Sequence, residues 1–240
     1  MNIYVTGVEK GCGKTVISAG ITAVMQSLGY RTGVYKPVQT NAIDKGSYLI
    51  SPDLAFVKML DPHITTHSSY MLKSNAIPSF SCKEENINIE LKKIIKDYTI
   101  LENKTDTLLV EATGGLMNPL NDRFFSYQIP QEFKLPVLYV LNPSNDTVNN
   151  YLNEINTAKV LGLDIVGIII NKFQVYSENP EIKSFPNIIE KYSDAKVLGL
   201  IRNFKGNSVQ TNVLINEILN GIDFEDVFRM KIPKLSKMNF

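Results

Sequence analysis

The sequence predicts an α/β fold with a mostly parallel, doubly wound sheet and helices on both faces. Two observations carry most of that prediction. Runs such as Val137-Leu138-Tyr139-Val140-Leu141 and Ile165-Val166-Gly167-Ile168-Ile169-Ile170 are apolar throughout instead of alternating, as strands covered on both faces are. These runs also alternate along the chain with segments of helical periodicity, the order that builds a parallel sheet. A third observation is local: the first apolar run, Ile3-Tyr4-Val5, passes through a glycine-rich turn directly into a helix-like run that includes Val16, Ile17, Ile21, Val24 and Leu28.

Composition narrows the class. The chain has 240 residues, of which 44% are hydrophobic and 20% charged, as in an ordinary soluble globular protein. A net charge of +1 gives no broad electrostatic footprint for nucleic acid or an anionic membrane. No apolar run is long enough to span a bilayer, and the N-terminus already reads as a strand, so neither membrane span nor signal peptide is expected. The two cysteines, Cys12 and Cys82, make no disulfide or metal framework and suit a reduced cytoplasm. No linker, repeat or low-complexity segment divides the chain. One domain over 1–240 is expected, with residues 222–240 a tail that either packs on the surface or stays loose.

Taken in order, Gly29 is a C-cap for the first helix. Thr32 to Tyr35 is a short strand, and Lys36 follows at its carboxyl end, where ligands bind in parallel α/β sheets. Residues 41–50 read as a loop. Ser51-Pro52-Asp53 starts a helix, with serine as N-cap and proline at the first helical position. His63 and His67 are four apart beside Pro62 without helical pattern and fall short of a zinc ligand set. Residues 70–85 read as irregular. Ile87, Leu91, Ile94, Ile95 and Tyr98 then recur at helical spacing, with Asn88 as cap. Thr107 to Val110 is a strand ending in Glu111 and followed by Ala112-Thr113-Gly114-Gly115. A helix is expected from about Thr147 to Leu161, a strand from Val197 to Ile201, and a last helix from Val209 to Leu219.

The chemistry concentrates in Gly7-Val8-Glu9-Lys10-Gly11-Cys12-Gly13-Lys14-Thr15. Strand, glycine-rich turn, Gly-Lys-Thr and helix is the order of a phosphate-binding P-loop, so the fold is of the P-loop NTPase type. Glycines let backbone N–H groups close around phosphate oxygens, and the helix N-terminus adds partial positive charge. Lys14 reaches the β- and γ-phosphates, and the Thr15 hydroxyl suits Mg²⁺. Glu111, at the end of a central apolar strand, has the placement of a Walker B carboxylate. Asp53 is either a dipole-favoured first-turn acid or a functional carboxylate.

Four blocks then stand in sequence: the P-loop, Tyr35-Lys36-Pro37-Val38-Gln39-Thr40, Asp53, and Val110-Glu111-Ala112-Thr113-Gly114-Gly115 with Pro119-Leu120. In that order and spacing, with five residues between Gly7 and Gly13, the chain resembles the dethiobiotin synthetase family over residues 1 to about 205. The resemblance implies an ATP-dependent cyclo-ligase that carboxylates 7,8-diaminononanoate with CO₂ and closes a cyclic urea. It also implies a homodimer with the substrate site at the interface. By the same resemblance Lys36 and Lys14 are catalytic, and Thr15, Asp53 and Glu111 hold Mg²⁺ with ATP. Gly11, Cys12, Gly13, Val16 and Gly114 also bind the nucleotide. Asn171, Lys172, Arg202, Asn203 and Phe204 take the base, and Thr40 and Asn149 the diamine. Lys36→Ala is expected to abolish most turnover with little change in thermal stability.

The chain departs from that family's usual pattern in places. The acid that the family's phosphate loop carries is Gly11 here, and a cation, Lys10, stands beside it. Ala112 replaces a glycine. The turn before the helix at Thr147 reads Asn145-Asp146-Thr147-Val148-Asn149-Asn150, with Asp146 in place of glycine. These changes leave two alternatives: a P-loop amidoligase-type synthase with another substrate, and a partition-type ATPase dimer switch. Lys10 lies four residues before Lys14, where the switch motif needs five. An asparagine–lysine pair at Asn171-Lys172 without a following aspartate disfavours a GTP switch.

Overall fold

The computed structural model describes residues 1–143, 148–203, 210–233 and 235. Its strands are β1 (Asn2–Thr6), β2 (Thr32–Tyr35), β3 (Val38–Gln39), β4 (Ile43–Asp44), β5 (Leu49–Ile50), β6 (Thr65–His67), β7 (Tyr70–Met71), β8 (Thr107–Glu111), β9 (Val137–Leu141), β10 (Ile165–Phe173) and β11 (Val197–Arg202). Its helices are α1 (Lys14–Ser27), α2 (Pro52–Leu60), α3 (Pro78–Glu85), α4 (Leu91–Glu102), α5 (Gln128–Phe133), α6 (Val148–Val160), α7 (Pro180–Ser193), α8 (Thr211–Gly221) and α9 (Phe224–Phe228).

Seven strands form one sheet in the order β11-β10-β9-β1-β8-β2-β6, and its pairs are parallel. The two-sided burial is visible residue by residue. Tyr4, Leu108, Val110, Tyr139, Leu141, Ile168 and Ile170 face a core shared with α4, α5, α6 and α7. Their chain neighbours Ile3, Val5, Leu109, Leu138, Val140 and Ile169 face a second core with α1, α2, α8 and α9. Period-two alternation therefore sends apolar side chains to both faces, which is why the strands read as unbroken apolar runs. The register then levels the carboxyl ends. Val5 is opposite Glu111 and Tyr35 is opposite Val110, so the phosphate loop, Lys36 and Glu111 emerge at one edge.

Most expected elements are present, with differences that have physical causes. Helix α4 starts at Leu91 with Glu90 at its N-cap, so Ile87 and Asn88 lie outside it. The segment before it is committed to α3 instead. Asn86 takes a left-handed φ of 52° and ends that helix, and the Ile87 N–H closes on the Cys82 carbonyl at 2.9 Å. Residues 70–85 are thus not irregular, and 41–50 contain the antiparallel pair β4–β5. Helix α7 was not legible because Pro186 lies inside it, and a proline normally ends a helical pattern. The tail packs at least as far as Ile232. Asp223 caps α9 by accepting from the Asp226 N–H at 3.0 Å, and Phe224, Val227 and Ile232 are buried.

The α6 face offers a direct check of the first core. Ile155 is fully buried there, so Ile155→Ala is expected to cost about 2–5 kcal/mol of unfolding free energy in urea titration. A loss within about 0.5 kcal/mol, the range of surface substitutions, would show that this face is not packed as described.

Candidate active site

Helix α1 begins without a side-chain cap. Gly13 sits at its N-cap with φ 101°, and no acid occupies the first turn. The first N–H groups are thus left for an outside acceptor. Gly13 has a second reason to be glycine: a Cβ there would lie 1.8 Å from Nδ2 of Asn171. That amide donates to the Cys12 carbonyl at 2.9 Å, and Lys172 Nζ donates to the Gly11 carbonyl at 3.0 Å. Asn171 and Lys172 stand where β10 breaks register with β11, and Lys172 takes φ 55°. The bulge aims both side chains at the back of the phosphate loop. Two loop carbonyls are thus tied to the β10 bulge. The Lys14 ammonium folds over the loop and donates to the Glu9 carbonyl at 2.8 Å.

Facing the loop, Lys36 is buried at the end of β2. Its Nζ lies 2.6 Å from Glu111 Oε1 and 2.5 Å from Asp53 Oδ2. Burial opposes the charged form, but the Glu111 and then the Asp53 carboxylate outweigh it and hold the ammonium above the usual lysine range. The Thr15 hydroxyl also donates to Glu111 Oε1, at 2.7 Å. Glu111 is 1% exposed, and its Oε2 has no hydrogen-bond partner among the described residues. Asp53 keeps the dipole-favoured place in the first turn of α2, whose cap is Ser51, accepting from the Leu54 N–H at 3.1 Å. It is therefore both a first-turn acid and a partner of Lys36.

Gly11, Gly13, Lys14, Thr15, Lys36, Thr40, Asp53, Glu111 and Gly114 line one cavity of about 240 Å³. Cys12 is buried beneath the loop, and Val16 is half-buried in the first turn of α1. Ala112 is accommodated because its N–H simply continues the ladder to the Val5 carbonyl at 2.9 Å and needs no left-handed backbone. Arg202 is not in the cavity. It pairs with Glu217 of α8, with Nη2 at 2.5 Å from Oε2, and Asn203 N–H donates to the Phe173 carbonyl. Asn149 is exposed on α6 and lines no part of the cavity. Phe204 and the turn residues Asn145, Asp146 and Thr147 lie outside the described residues. Lys10, Gln39, Asn41 and Asn75 also line the cavity and were not read as site residues. Asn75 carries no motif that could have found it. A larger groove of about 830 Å³ runs past Lys83, Ile89 and Phe124 and shares no residue with this cavity.

His67 has a different task from metal binding: it stacks on Tyr35 at 5.9 Å and lies 3.2 Å from Asp97. Among the described residues no group of three or more histidines, cysteines or acids is placed to hold a metal. Among the described residues no helix is long and apolar enough to cross a membrane.

An uncapped helix start behind a glycine loop, at the carboxyl edge of a parallel sheet, defines an α/β protein of the P-loop class. Comparison with known proteins makes this more specific. A model of the family described as AAA domain matches residues 1–207. The ATP-dependent dethiobiotin synthetase BioD of Halalkalibacterium halodurans is 30% identical over 204 residues, 83% of this chain and 84% of that protein. The same-named synthetase of Caldicellulosiruptor saccharolyticus is 28% identical over 206 residues, 83% of this chain and 84% of that protein. Among solved structures, a chain of the MinC:MinD cell division protein complex of Aquifex aeolicus aligns with TM-score 0.57 at 16% identity, over 97% of each chain. The septum site-determining protein MinD of Pyrococcus horikoshii, complexed with Mg-ADP, aligns with TM-score 0.53 at 16% identity, over 97% of this chain and 100% of that one. These two share the fold. The chain belongs to the ATP-dependent dethiobiotin synthetase family, and its residues 1–207 to the AAA-domain family.

The Lys36 geometry changes one expectation drawn from sequence. Removing a lysine buried between two carboxylates strands Glu111, so Lys36→Ala is not expected to leave stability untouched. In metal-free buffer it is expected to cost about 3 kcal/mol. Lys36→Ala combined with Glu111→Gln should recover most of that loss in chemical denaturation. Equal losses for the single and double variants would show that Lys36 does not compensate Glu111.

Proposed function

We propose that this protein makes dethiobiotin in biotin biosynthesis, joining CO₂ to 7,8-diaminononanoate at the expense of ATP. The observation that carries the reading is the convergence of Lys14, Thr15, Lys36, Asp53 and Glu111 on one cavity that also holds the buried Thr40. Family membership supports the same reaction.

The residues suit phosphoryl transfer, which needs positioning and charge neutralisation more than a strong base. In the proposed course one amine of the diamine takes up CO₂ as a carbamate. The carbamate oxygen attacks the γ-phosphate and ADP leaves, giving a carbamic–phosphoric anhydride. The second amine then attacks the carbonyl carbon, the C–O bond to phosphate breaks, and the cyclic urea forms as phosphate departs. The backbone N–H groups of the loop orient the phosphates. Lys14 and Lys36 face the transferred group and offset its charge. Thr40 positions the diamine by hydrogen bonding.

The site also fits Mg²⁺. Thr15, Asp53 and Glu111 are hard oxygen donors, and the orphaned, buried Oε2 of Glu111 is the kind of atom a cation satisfies. Thr15, Asp53 and Glu111 would hold the ion, which supplies charge neutralisation at the phosphate oxygens. Asn171, Lys172, Arg202, Asn203 and Phe204 are proposed for the base. Asn149 is proposed to act across a homodimer interface, in keeping with its exposure away from its own cavity. One domain and a cytoplasmic setting complete the reading.

Phosphate release from ATP with Mg²⁺ and bicarbonate tests it, run with and without 7,8-diaminononanoate and with the product mass recorded. Diamine-dependent release and a cyclic urea are expected; ATP binding without diamine-dependent turnover would refute the substrate. Lys36→Ala is expected to lower kcat about 10²–10³-fold, the scale for losing one charge-stabilising donor. Asp53→Asn should raise the Mg²⁺ concentration needed for half-maximal rate. No change there would leave Asp53 as a first-turn acid and partner of Lys36, with no part in holding the ion.

A further inference from the structure

Three lysines and two carboxylates face the phosphate-loop cavity, and the charges are not evenly matched. Lys36 takes both carboxylates, Asp53 and Glu111. Lys14 rests on a neutral carbonyl. Lys10, at the apex of the loop, reaches across the mouth of the cavity and also rests on neutral oxygens. Its Nζ donates to the Asn75 carbonyl at 2.5 Å and to Asn75 Oδ1 at 3.2 Å. Among the described residues it has no carboxylate partner. Partial burial pushes its pKa down, and the charges that act on it, Lys36 and Lys14, push it the same way. Ammonium groups gathered at one cavity repel one another, more strongly as water is excluded. Such a gathering becomes favourable when an anion enters.

The wall that holds Lys10 is informative. The Asn41 N–H donates to the Ser74 carbonyl at 3.0 Å, so Asn75 belongs to the same wall as Thr40 and Asn41. Asp53 and Glu111 gather around Lys36, and Glu111 also takes the Thr15 hydroxyl. Lys10 thus extends from the loop that takes phosphates toward the wall that carries Thr40.

We propose that Lys10 is a third anion-binding lysine of this cavity: it exchanges the two oxygens of Asn75 for anionic oxygens of the reacting group. The proposal rests on the P-loop reading of the cavity. The anionic oxygen has two possible sources with the same chemistry, the γ-phosphate of ATP and the carboxylate-like acceptor that attacks it. In the sequence Lys10 stands out as a departure from the family's phosphate loop and as a near-match to the switch motif's lysine; its placement between the two walls is what makes it a ligand.

The test uses the full chain with Lys10→Ala, Lys10→Gln and Lys10→Arg. Calorimetry measures Mg-ATP and Mg-ADP binding, and steady-state assays vary the acceptor. A charge-assisted hydrogen bond lost at Lys10 should lower the relevant constant about 10- to 100-fold, with Lys10→Arg retaining most of it. A fall in the preference for ATP over ADP assigns the contact to the γ-phosphate. Unchanged nucleotide binding with a raised KM or lowered kcat for the acceptor assigns it to the acceptor. If the wild-type protein turns over no diamine, the carboxylation reading fails, while the ATP-to-ADP ratio still reads Lys10. An unaltered ratio together with unaltered turnover, or Lys10→Gln equal to wild type in both, would overturn the proposal and leave Lys10 as a tether to Asn75.

Discussion

A single buried ammonium holds the carboxyl edge of this protein's sheet together. Lys36 ends β2, Glu111 ends β8 and Asp53 opens α2, and these three segments meet because one cation lies within 2.6 Å of both acids. Two carboxylates brought this close without a cation would repel in a low-dielectric setting. One lysine between two acids offsets that repulsion at the cost of desolvating its own charge. The strand register makes the meeting possible, since neighbouring residues Val110 and Tyr35 are paired across the sheet. Apolar packing on both faces thus sets the polar geometry at the edge.

The phosphate loop depends on the sheet in the same way. Its carbonyls at Gly11 and Cys12 are tied by Lys172 and Asn171 from a bulge in β10, two strands away from β1. A second clamp comes from α6. Glu154 reaches under the glycine segment after β8 and accepts the Leu116 N–H at 2.6 Å, and burial pushes its carboxyl pKa up. A Cβ on Gly115 would lie 2.8 Å from that carboxylate and 3.0 Å from the Val8 carbonyl. Strand β10 and helix α6, distant in sequence from the loop, thereby decide how closely the two glycine segments approach. The fold shared with the MinD structures at 16% identity is consistent with such a frame, since shared packing does not require shared site chemistry.

Legibility followed the range of the forces involved. The P-loop, the Ser51-Pro52 helix start and the apolar strands are local patterns, and each could be read from a few adjacent residues. Glu111 was legible because an acid ending an apolar run has few places to go. Helix α7 was hidden by Pro186, and α4 was read too long because Ile87 happens to keep its period while Asn86 breaks the backbone before it. Asn75 was invisible, because the segment that carries it is placed by the β3–β7 pairing and by α3.

The class of fold, the phosphate loop and the family likeness are legible in the order of residues alone, because glycine spacing, apolar runs and an ordered set of short motifs act over a few residues. Which charges meet was settled by folding. It put Lys36 between Asp53 and Glu111, drew Asn171 and Lys172 behind the loop, kept Arg202 with Glu217, and left Lys10 on neutral oxygens at the cavity mouth. Those choices depend on sheet order, register and burial, and electrostatic energies are set by distance and solvent access rather than by position along the chain.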